Sequence, residues 1–259
     1  MLNGAHILVT RPAHQADKLS ALIAAQGGVA VRLPTLAIVG ADDMGHIKDA
    51  LSDLERFHWL VFISANAVNF AVRANGGKIK IAQSVRVAAV GQATAEALVQ
   101  NGLRVDLVPE QGYSSEALLA TPTMQQVAHQ AFLIIRGEGG REELAAVLRN
   151  RDAQVDYLAV YKRVLPVVDS AKADALLAAN MLNAITITSG EAVQNLLLLV
   201  AKRHHQKMLA LPLVVISDRI RKIAAEKGFS RIMVTKNPSD VAILEAVTTC
   251  LTGGRAWQN

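Results

Sequence analysis

Short polar segments follow several apolar runs of this sequence, and each precedes a stretch rich in helix-forming residues. Parallel sheets bind ligands beyond the carboxyl ends of their strands, so residues in these positions are candidates for ligand contacts. The following helix would add unpaired N–H groups and about half a positive charge. This arrangement predicts the binding of an anion. The segments are Thr10-Arg11, Ser64-Ala65-Asn66, Gly91-Gln92, Arg136-Gly137-Glu138, Thr188-Ser189-Gly190, Ser217-Asp218 and Thr235-Lys236.

The charge balance also favours an anionic partner. The formal net charge is +5 at pH 7, from 27 Lys and Arg residues against 22 Asp and Glu residues. Nucleic acid is a weaker candidate, because the sequence has no long basic run and only 4% aromatic residues to stack on bases. A polycarboxylate or a phosphate ligand fits the composition at least as well.

Apolar runs supply the strands that would position these segments. Most runs are continuously apolar rather than alternating, which is typical of parallel strands covered on both faces. Helical stretches separate the runs, so the sequence predicts a doubly wound α/β fold. The first set comprises residues 6–10, 29–39, 59–63, 85–90 and 104–108, and the second comprises residues 131–135, 155–164, 184–188, 212–216 and 231–235.

The second set of runs repeats the first at a nearly constant shift. Landmark residues of the two sets lie 125 or 126 residues apart. This constancy predicts an internal duplication of a five-strand unit, with a shift of about 125 residues. The landmark pairs are Arg11 and Arg136, Ser64 and Ser189, Gly91 and Ser217, Gly102 and Gly228, and Ser114 and Ser239.

Two overlong runs argue against the simplest division, which is two consecutive domains that meet near residue 125. Residues 29–39 and 155–164 span ten or eleven residues, whereas strands usually have about five or six. Pro34 lies within the first run and Pro166 lies just after the second. We therefore interpret both runs as crossovers between two lobes.

Membrane insertion and secretion have little support in the sequence. No apolar run approaches the roughly 18 residues of a membrane helix, and the N-terminal residues lead into ILVTR without a signal-peptide pattern. The single cysteine, Cys250, excludes an intramolecular disulfide. We therefore expect a cytoplasmic protein. We also expect a monomer, because no apolar stripe in the sequence demands a partner.

Four familiar catalytic, metal or cofactor motifs are absent. The Gly-rich segment RGEGGRE at residues 136–142 lacks the Lys-Ser/Thr of a P-loop and the full glycine spacing of a dinucleotide site. His204 and His205 are adjacent rather than at helical ligand spacing, and no other set of residues indicates zinc. The G-x-S-x-G motif of a hydrolase nucleophile does not occur. We expect neither metal nor cofactor.

Several segments, in order along the chain, carry a more specific similarity. They are LVTRPAHQADKLSALIAAQGGVAVRLPTLAI, VFISANAV, VAAVGQATAEAL, VPEQGYSSEALLA, YLAVYKRVLP, ITITSGEAV and NPSDVAILEAV. By their order and spacing the sequence resembles the uroporphyrinogen-III synthase family over essentially its whole length. In one departure, Ser217-Asp218 stands where the first repeat has the family's usual glycine, Gly91.

The resemblance implies two α/β lobes joined by a two-stranded linker. Each lobe would own five parallel strands, two from one repeat and three from the other. Lobe one would comprise residues 1–36 and 168–259, lobe two residues 42–164, and the linker residues 37–41 and 165–167.

The resemblance also implies a reaction. The family's substrate is hydroxymethylbilane, a linear tetrapyrrole that carries eight carboxylates. It loses a hydroxyl to give a cationic azafulvene, closes through a spiro intermediate, and becomes a ring whose last pyrrole is inverted. Because the substrate also cyclises spontaneously without inversion, the enzyme must mainly hold it in one geometry. The family requires neither metal nor nicotinamide.

Tyr161 matches the family tyrosine that lies over the cleft, so its phenol could donate a proton to the departing hydroxyl. Alternatively, Tyr161 could be a linker residue that only packs against a lobe. Arg11 and Arg136 could contact substrate carboxylates or form salt bridges. Other strand-end residues could be ligands, helix N-caps or both; these are Ser64, Thr188 and Ser189.

A protein of another class could share these features. A two-lobed anion-binding or sensor protein would have the same architecture, but it would not need a proton donor such as Tyr161. A regulatory relative that has lost activity is a further alternative. The isomer formed from hydroxymethylbilane distinguishes the enzyme from both.

Overall fold

A computed structural model describes residues 1–110, 112, 114–140 and 142–253. The chain divides into two compact units. Unit 1 comprises Met1–Ala37 and Val164–Asn259, and unit 2 comprises Ile38–Arg163. Parts of the VPEQGYSSEALLA and RGEGGRE segments lie outside the described residues, namely Gln111, Tyr113 and Arg141.

Strands and helices alternate along the described residues, as the apolar runs predict. The strands are β1 (His6–Val9), β2 (Val29–Arg32), β3 (Ala37–Gly40), β4 (Trp59–Phe62), β5 (Arg86–Ala89), β6 (Ala131–Gly137), β7 (Gln154–Val164), β8 (Leu182–Ile187), β9 (Leu213–Val215) and β10 (Ile232–Val234). The helices are α1 (Asp17–Ala25), α2 (Met44–Ser52), α3 (Ala65–Ala74), α4 (Gln92–Gln100), α5 (Ser115–Ala120), α6 (Pro122–Gln125), α7 (Glu143–Asn150), α8 (Ala171–Ala178), α9 (Gly190–Leu199), α10 (His205–Leu209), α11 (Asp218–Glu226) and α12 (Asp240–Thr252). Within this part of the chain, no helix has both the length and the apolar character needed to cross a membrane.

Unit 1 contains a five-stranded sheet in the order β10-β9-β8-β1-β2. All four strand pairings are parallel. Alternate residues of β1 enter different apolar layers, because Leu8 packs in one layer while Ile7 and Val9 pack in the other. The sheet is therefore covered on both faces, which confirms the predicted doubly wound α/β arrangement for this unit.

Unit 2 contains a second five-stranded sheet, in the order β3-β7-β6-β4-β5. The pairings of β4 with β5, of β4 with β6, and of β6 with β7 are parallel. Every residue of β4 is buried. Leu60 and Phe62 pack in one apolar layer, while Trp59 and Val61 pack in the other. The continuous apolar run thus serves both faces of a central parallel strand, as predicted.

The two sheets share part of their topology. The order β2-β1-β8-β9 in unit 1 corresponds to β7-β6-β4-β5 in unit 2, with each strand replaced by its partner in the other repeat. The landmark residues also have matching local roles. Ser64 and Ser189 both cap helices, and Gly102 and Gly228 both have positive φ, at 72° and 96°. These similarities support the duplication, which stays a prediction.

The run at residues 29–39 forms two strands rather than one. Pro34 has no N–H to donate and separates β2 in unit 1 from β3 in unit 2. The next residue, Thr35, is fully buried and donates both its backbone N–H and its hydroxyl to the carbonyl of Thr10. The chain is therefore fixed to unit 1 immediately before it enters unit 2. The second overlong run is a single strand, β7.

The prediction of a strand over residues 104–108 is wrong. This segment meets β5 only in an isolated bridge between Ala88 and Leu107. The backbone N–H of Val87 donates to Oδ2 of Asp106 at 2.7 Å, and the carbonyl of Val87 accepts from the N–H groups of both Asp106 and Leu107. Because a carboxylate takes the place of a backbone carbonyl, the strand ladder cannot continue. β3 supplies the fifth strand of unit 2 instead.

We predict that Asp106→Ala destabilises the protein by about 1–3 kcal/mol, because it leaves the N–H of the buried Val87 without its acceptor. Asp106→Asn keeps a side-chain oxygen and should recover much of the loss. Asp53→Ala, at an exposed carboxylate that pairs with Arg56, should change stability by less than about 0.5 kcal/mol. Urea unfolding of the three variants measures these differences, and equal stability of Asp106→Ala and the unsubstituted protein would contradict the prediction.

Candidate functional site

Serine side chains cap five helices, four of which follow a strand end. In each case the hydroxyl accepts a hydrogen bond of 3.1–3.4 Å from the backbone N–H three residues later. The pairs are Ser64 with Ala67, Ser114 with Ala117, Ser189 with Ala192, Ser217 with Ile220, and Ser239 with Ala242. The alternative that Ser64 and Ser189 are N-caps is therefore correct. A cap satisfies only one of the four free N–H groups of a helix start, so the capping role leaves room for a ligand.

Unit 2 has a hollow between the N-termini of α3 and α4, which we call the α3–α4 hollow. Its volume is about 370 Å³. The walls come from the loops after β4 and β5 and include four predicted site residues, Ser64, Ala65, Gly91 and Gln92. The structure thus brings these four residues together, while Asn66 lies beside them in the first turn of α3. Two helix N-termini at one hollow form a favourable environment for a carboxylate.

Tyr161 lies beside this hollow, in contact with one of its walls. Its phenol oxygen is 3.3 Å from Oγ of Ser64, and its ring packs against Phe70 with a centroid distance of 5.7 Å. Only 4% of Tyr161 is exposed. The phenol therefore has a hydrogen-bond partner at the start of α3, in a residue that lines the hollow.

Arg136 is buried and held by its own loop. Its Nη1 donates to Oε1 of Glu142 at 2.9 Å, its Nε donates to the carbonyl of Gly137 at 3.3 Å, and its guanidinium lies 4.5 Å from the ring centre of Tyr157. The backbone of Gly140 packs directly against the guanidinium, since a Cβ atom added to Gly140 would lie 2.5 Å from Nη2 of Arg136. The salt-bridge alternative for Arg136 is thus present, between a buried guanidinium and a largely exposed carboxylate.

Arg11 occupies the equivalent position at the end of β1 and also has a carboxylate partner. Its Nη1 pairs with Oδ1 of Asp240, in the first turn of α12, and both side chains are largely buried. Each predicted arginine therefore connects a strand end to the start of a helix. Both pairs are formally neutral, which lowers the positive charge that either arginine presents to an anion.

Two further predicted residues of unit 1, Thr10 and Gly190, have structural contacts. Thr10 donates its hydroxyl to the carbonyl of Thr186 at 2.8 Å. Gly190 allows α9 and α11 to approach, because a Cβ on it would lie 2.5 Å from Cδ1 of Ile223. The others lie in the short segments between a strand and a helix or at a helix start; they are Thr188, Ser217, Asp218, Thr235 and Lys236.

Four residues of this environment are absent from the sequence prediction. Phe70 contacts the ring of Tyr161, and Asp240 pairs with Arg11. Glu142 accepts hydrogen bonds from both Arg136 and the Tyr157 hydroxyl, the latter at 2.5 Å. The position of Asp240 directly after the landmark Ser239 was a usable signal. Contacts of Phe70 and Tyr157 depend on side-chain direction, which residue spacing alone does not give.

Other chemistry has little support among the described residues. No group of three or more His, Cys, Asp or Glu side chains in residues 1–110, 112, 114–140 and 142–253 could hold a metal ion. Burial raises the pKa of the Cys250 thiol to about 11. This cysteine is therefore a poor nucleophile at neutral pH.

Comparisons with known proteins agree with the similarity found in the sequence. A family model described as uroporphyrinogen-III synthase HemD matches residues 17–245. The uroporphyrinogen-III synthase of Escherichia coli (strain K12) is 31% identical over 93% of this chain and 99% of the relative. That of Salmonella typhimurium (strain LT2) is also 31% identical, with the same coverage.

Solved structures of the same name share the fold. A mutant uroporphyrinogen III synthase from Thermus thermophilus matches with a TM-score of 0.63 at 15% identity, covering 96% of this chain and 99% of that one. Uroporphyrinogen-III synthetase from Helicobacter pylori 26695 matches with a TM-score of 0.61 at 14% identity, covering 95% and 99%. At such low identity these matches establish the fold alone.

We predict that Glu142→Gln lowers the melting temperature at neutral pH and that this difference disappears in acid. The hydrogen bond from Tyr157, followed by the interactions with Arg136, lowers the pKa of Glu142 below its ordinary value of 4.5. A carboxyl with a lowered pKa stabilises the folded state above its unfolded pKa, and this stabilisation is lost as the pH falls through the folded value.

The measurement is a series of melting temperatures from neutral pH to about pH 3. Glu55→Gln, at an exposed carboxylate, is the matched control and should show no comparable pH-dependent difference. A difference between Glu142→Gln and the unsubstituted protein that stays constant down to the acid end would contradict the role given to the carboxylate.

Proposed function

The chain belongs to the uroporphyrinogen-III synthase family, and we propose that it converts linear hydroxymethylbilane into uroporphyrinogen III. The tetrapyrrole closes to a ring, the last pyrrole is inverted through a spiro intermediate, and water is lost. The family match over residues 17–245 is the observation that carries this proposal. The Tyr161 hydroxyl beside the α3–α4 hollow supports it, because the reaction begins with the departure of a hydroxyl.

We propose that helix N-termini bind the substrate carboxylates. Unit 2 offers the N-termini next to Ser64 and Gly91, and unit 1 offers those next to Ser189 and Ser217. Backbone amides suit a flexible polycarboxylate, because they are fixed by the fold and add no side-chain entropy cost. The remaining predicted residues would contribute through the same loops; they are Arg11, Ala65, Asn66, Gln92, Arg136, Gly137, Thr188 and Gly190.

We propose that Tyr161 assists the first chemical step. The phenol donates its proton to the oxygen of the substrate hydroxymethyl group, the carbon–oxygen bond breaks, and water leaves. The resulting cationic azafulvene is attacked by the substituted carbon of the last pyrrole, which gives the spiro intermediate. The spiro intermediate then opens by breaking a bond to that carbon and recloses with the pyrrole inverted. The proton released when the ring recloses restores the phenol, so no proton is gained or lost by the protein over the cycle.

The enzyme is favoured over the alternative of a two-lobed anion-binding or sensor protein. Family membership supports catalysis, and the placement of a phenol next to the α3–α4 hollow supplies a proton donor that a sensor does not need. We further propose that the two units correspond to two lobes with linker segments at residues 37–41 and 165–167. We also propose that the protein acts as a monomer in the cytoplasm.

The proposed function is tested by product analysis. The protein is mixed with hydroxymethylbilane, the product is oxidised, and the type III and type I isomers are separated. We expect isomer III in excess over the isomer I that forms spontaneously. Isomer I alone, at the rate seen without protein, would exclude the proposed activity and leave the sensor alternative.

We predict that Tyr161→Phe lowers turnover while isomer III stays the main product. General acid assistance is typically worth about 10²–10⁴-fold, and we expect the lower end because bound water and the substrate's own carboxylates can share the task. Inversion depends on how the substrate is held, so the isomer ratio should change little. Loss of one long hydrogen bond should lower stability by only about 0.5–1.5 kcal/mol.

Turnover and isomer ratio at saturating substrate are measured together with the melting temperature. Phe70→Leu is the control for a change in ring packing that keeps the phenol, and it should retain more activity than Tyr161→Phe. Full turnover of Tyr161→Phe with a lower melting temperature would show that the hydroxyl is structural.

A further inference from the structure

An irregularity in the sheet decides which way Tyr161 points. Arg136 of β6 pairs with Ala159 of β7, but the next residue, Gly137, pairs with Tyr161, so that Val160 is left over. Side chains alternate along a regular strand, and Tyr157 and Tyr161 would then lie on the same face. The bulge reverses the alternation. Tyr157 consequently packs in the apolar layer that contains α7, whereas Tyr161 packs in the layer that contains α3.

Gly137 leaves the space that the Tyr161 ring occupies. A Cβ atom on Gly137 would lie 2.5 Å from both Cε2 and Cζ of Tyr161. Carbon atoms in contact are normally about 3.5–4.0 Å apart, so any side chain at Gly137 would displace the ring. Gly137 is not among the residues with positive φ, and its need for glycine is therefore one of space rather than backbone conformation.

The far end of the ring is fixed by α3. Oγ of Ser64 lies 3.3 Å from the phenol oxygen and at the same time accepts the N–H of Ala67 at 3.1 Å. The capping bond holds the serine hydroxyl in place, so the phenol meets a fixed partner. Phe70, on the same helix, covers the ring at 5.7 Å. The backbone is tied as well, because the N–H of Glu138 donates to the carbonyl of Tyr161 at 2.8 Å.

We propose that Gly137 and Ser64 are positioning residues for the Tyr161 phenol. Gly137 sets how deeply the ring enters the layer, and Ser64 sets the direction of the phenol oxygen. The effect on turnover rests on the proposed function, since it requires that the phenol assist the reaction. The placement of the ring is independent of that requirement and can be measured by itself.

Fluorine NMR tests the placement directly. The chain has 3 tyrosines, so protein labelled with 3-fluorotyrosine gives few resonances, and Tyr161→Phe identifies the one from Tyr161. Gly137→Ala and Ser64→Ala should each shift this resonance, while Ser64→Thr, which keeps a hydroxyl, should restore it. Gly28→Ala is the steric control, because its Cβ would lie 2.8 Å from Leu2 in unit 1, and it should leave the resonance in place. An unshifted resonance in both Gly137→Ala and Ser64→Ala would overturn the proposal.

A double-mutant cycle tests the effect on turnover. We expect Gly137→Ala to lower turnover about as much as Tyr161→Phe does, with the Michaelis constant changed less, and the double variant to fall no further. Multiplied losses in the double variant would overturn the proposal, because Gly137 would then act separately from the phenol. If Gly137→Ala does not fold, the fluorine spectrum and the turnover are measured on Ser64→Ala instead, with Ser64→Thr as the variant that should restore both.

The two hypotheses fail in different ways. Full turnover of Tyr161→Phe would refute the catalytic role of the phenol, while the fluorine spectra would still decide whether Gly137 and Ser64 position the ring. If Tyr161→Phe lowers turnover but Gly137→Ala keeps full turnover, the positioning role alone would be refuted.

Discussion

Helices that follow parallel strands begin with backbone N–H groups that have no acceptor within the helix. Both sheets must place these N–H groups where another group can accept their hydrogen bonds. In a parallel sheet every strand ends at the same edge, so every following helix begins there and brings backbone donors without intrahelical acceptors. Serine hydroxyls satisfy one donor at each of four of these helix starts. The remaining donors require water or a ligand. The unpaired N–H groups make this edge of the sheet costly to bury, and the same groups make it suitable for binding a polycarboxylate.

The charged residues of the site support this view of anion binding. Although the net charge is +5, Arg11 and Arg136 are each paired with a carboxylate, Asp240 or Glu142. Their first effect is to tie a strand end to a neighbouring helix or loop. A substrate carboxylate would compete with these internal partners for the guanidinium groups. Backbone amides have no such competitor, so they supply the more constant part of the attraction.

A single extra residue in β7 has a large effect on the chemistry that unit 2 can offer. The bulge at Gly137 separates two tyrosines that strict alternation would have kept together. Tyr157 joins the Arg136–Glu142 cluster, where burial and the hydrogen bond to Glu142 raise the pKa of its phenol. Tyr161 instead reaches Ser64 at the α3–α4 hollow. Two chemically identical side chains thereby serve different purposes, one structural and one proposed to be catalytic.

The sequence by itself determined the α/β class, the parallel strands, the strand-end segments and the family, because apolar runs and helix starts are local patterns. It was misleading at residues 104–108, where the Asp106 carboxylate interrupts the ladder. At residues 29–39 the run is divided at Pro34 between two sheets, in agreement with the crossover interpretation. Only the tertiary structure showed the partners of Arg11 and Arg136 and the direction of Tyr161. These depend on strand register and on contacts between residues distant in sequence, neither of which composition or spacing specifies.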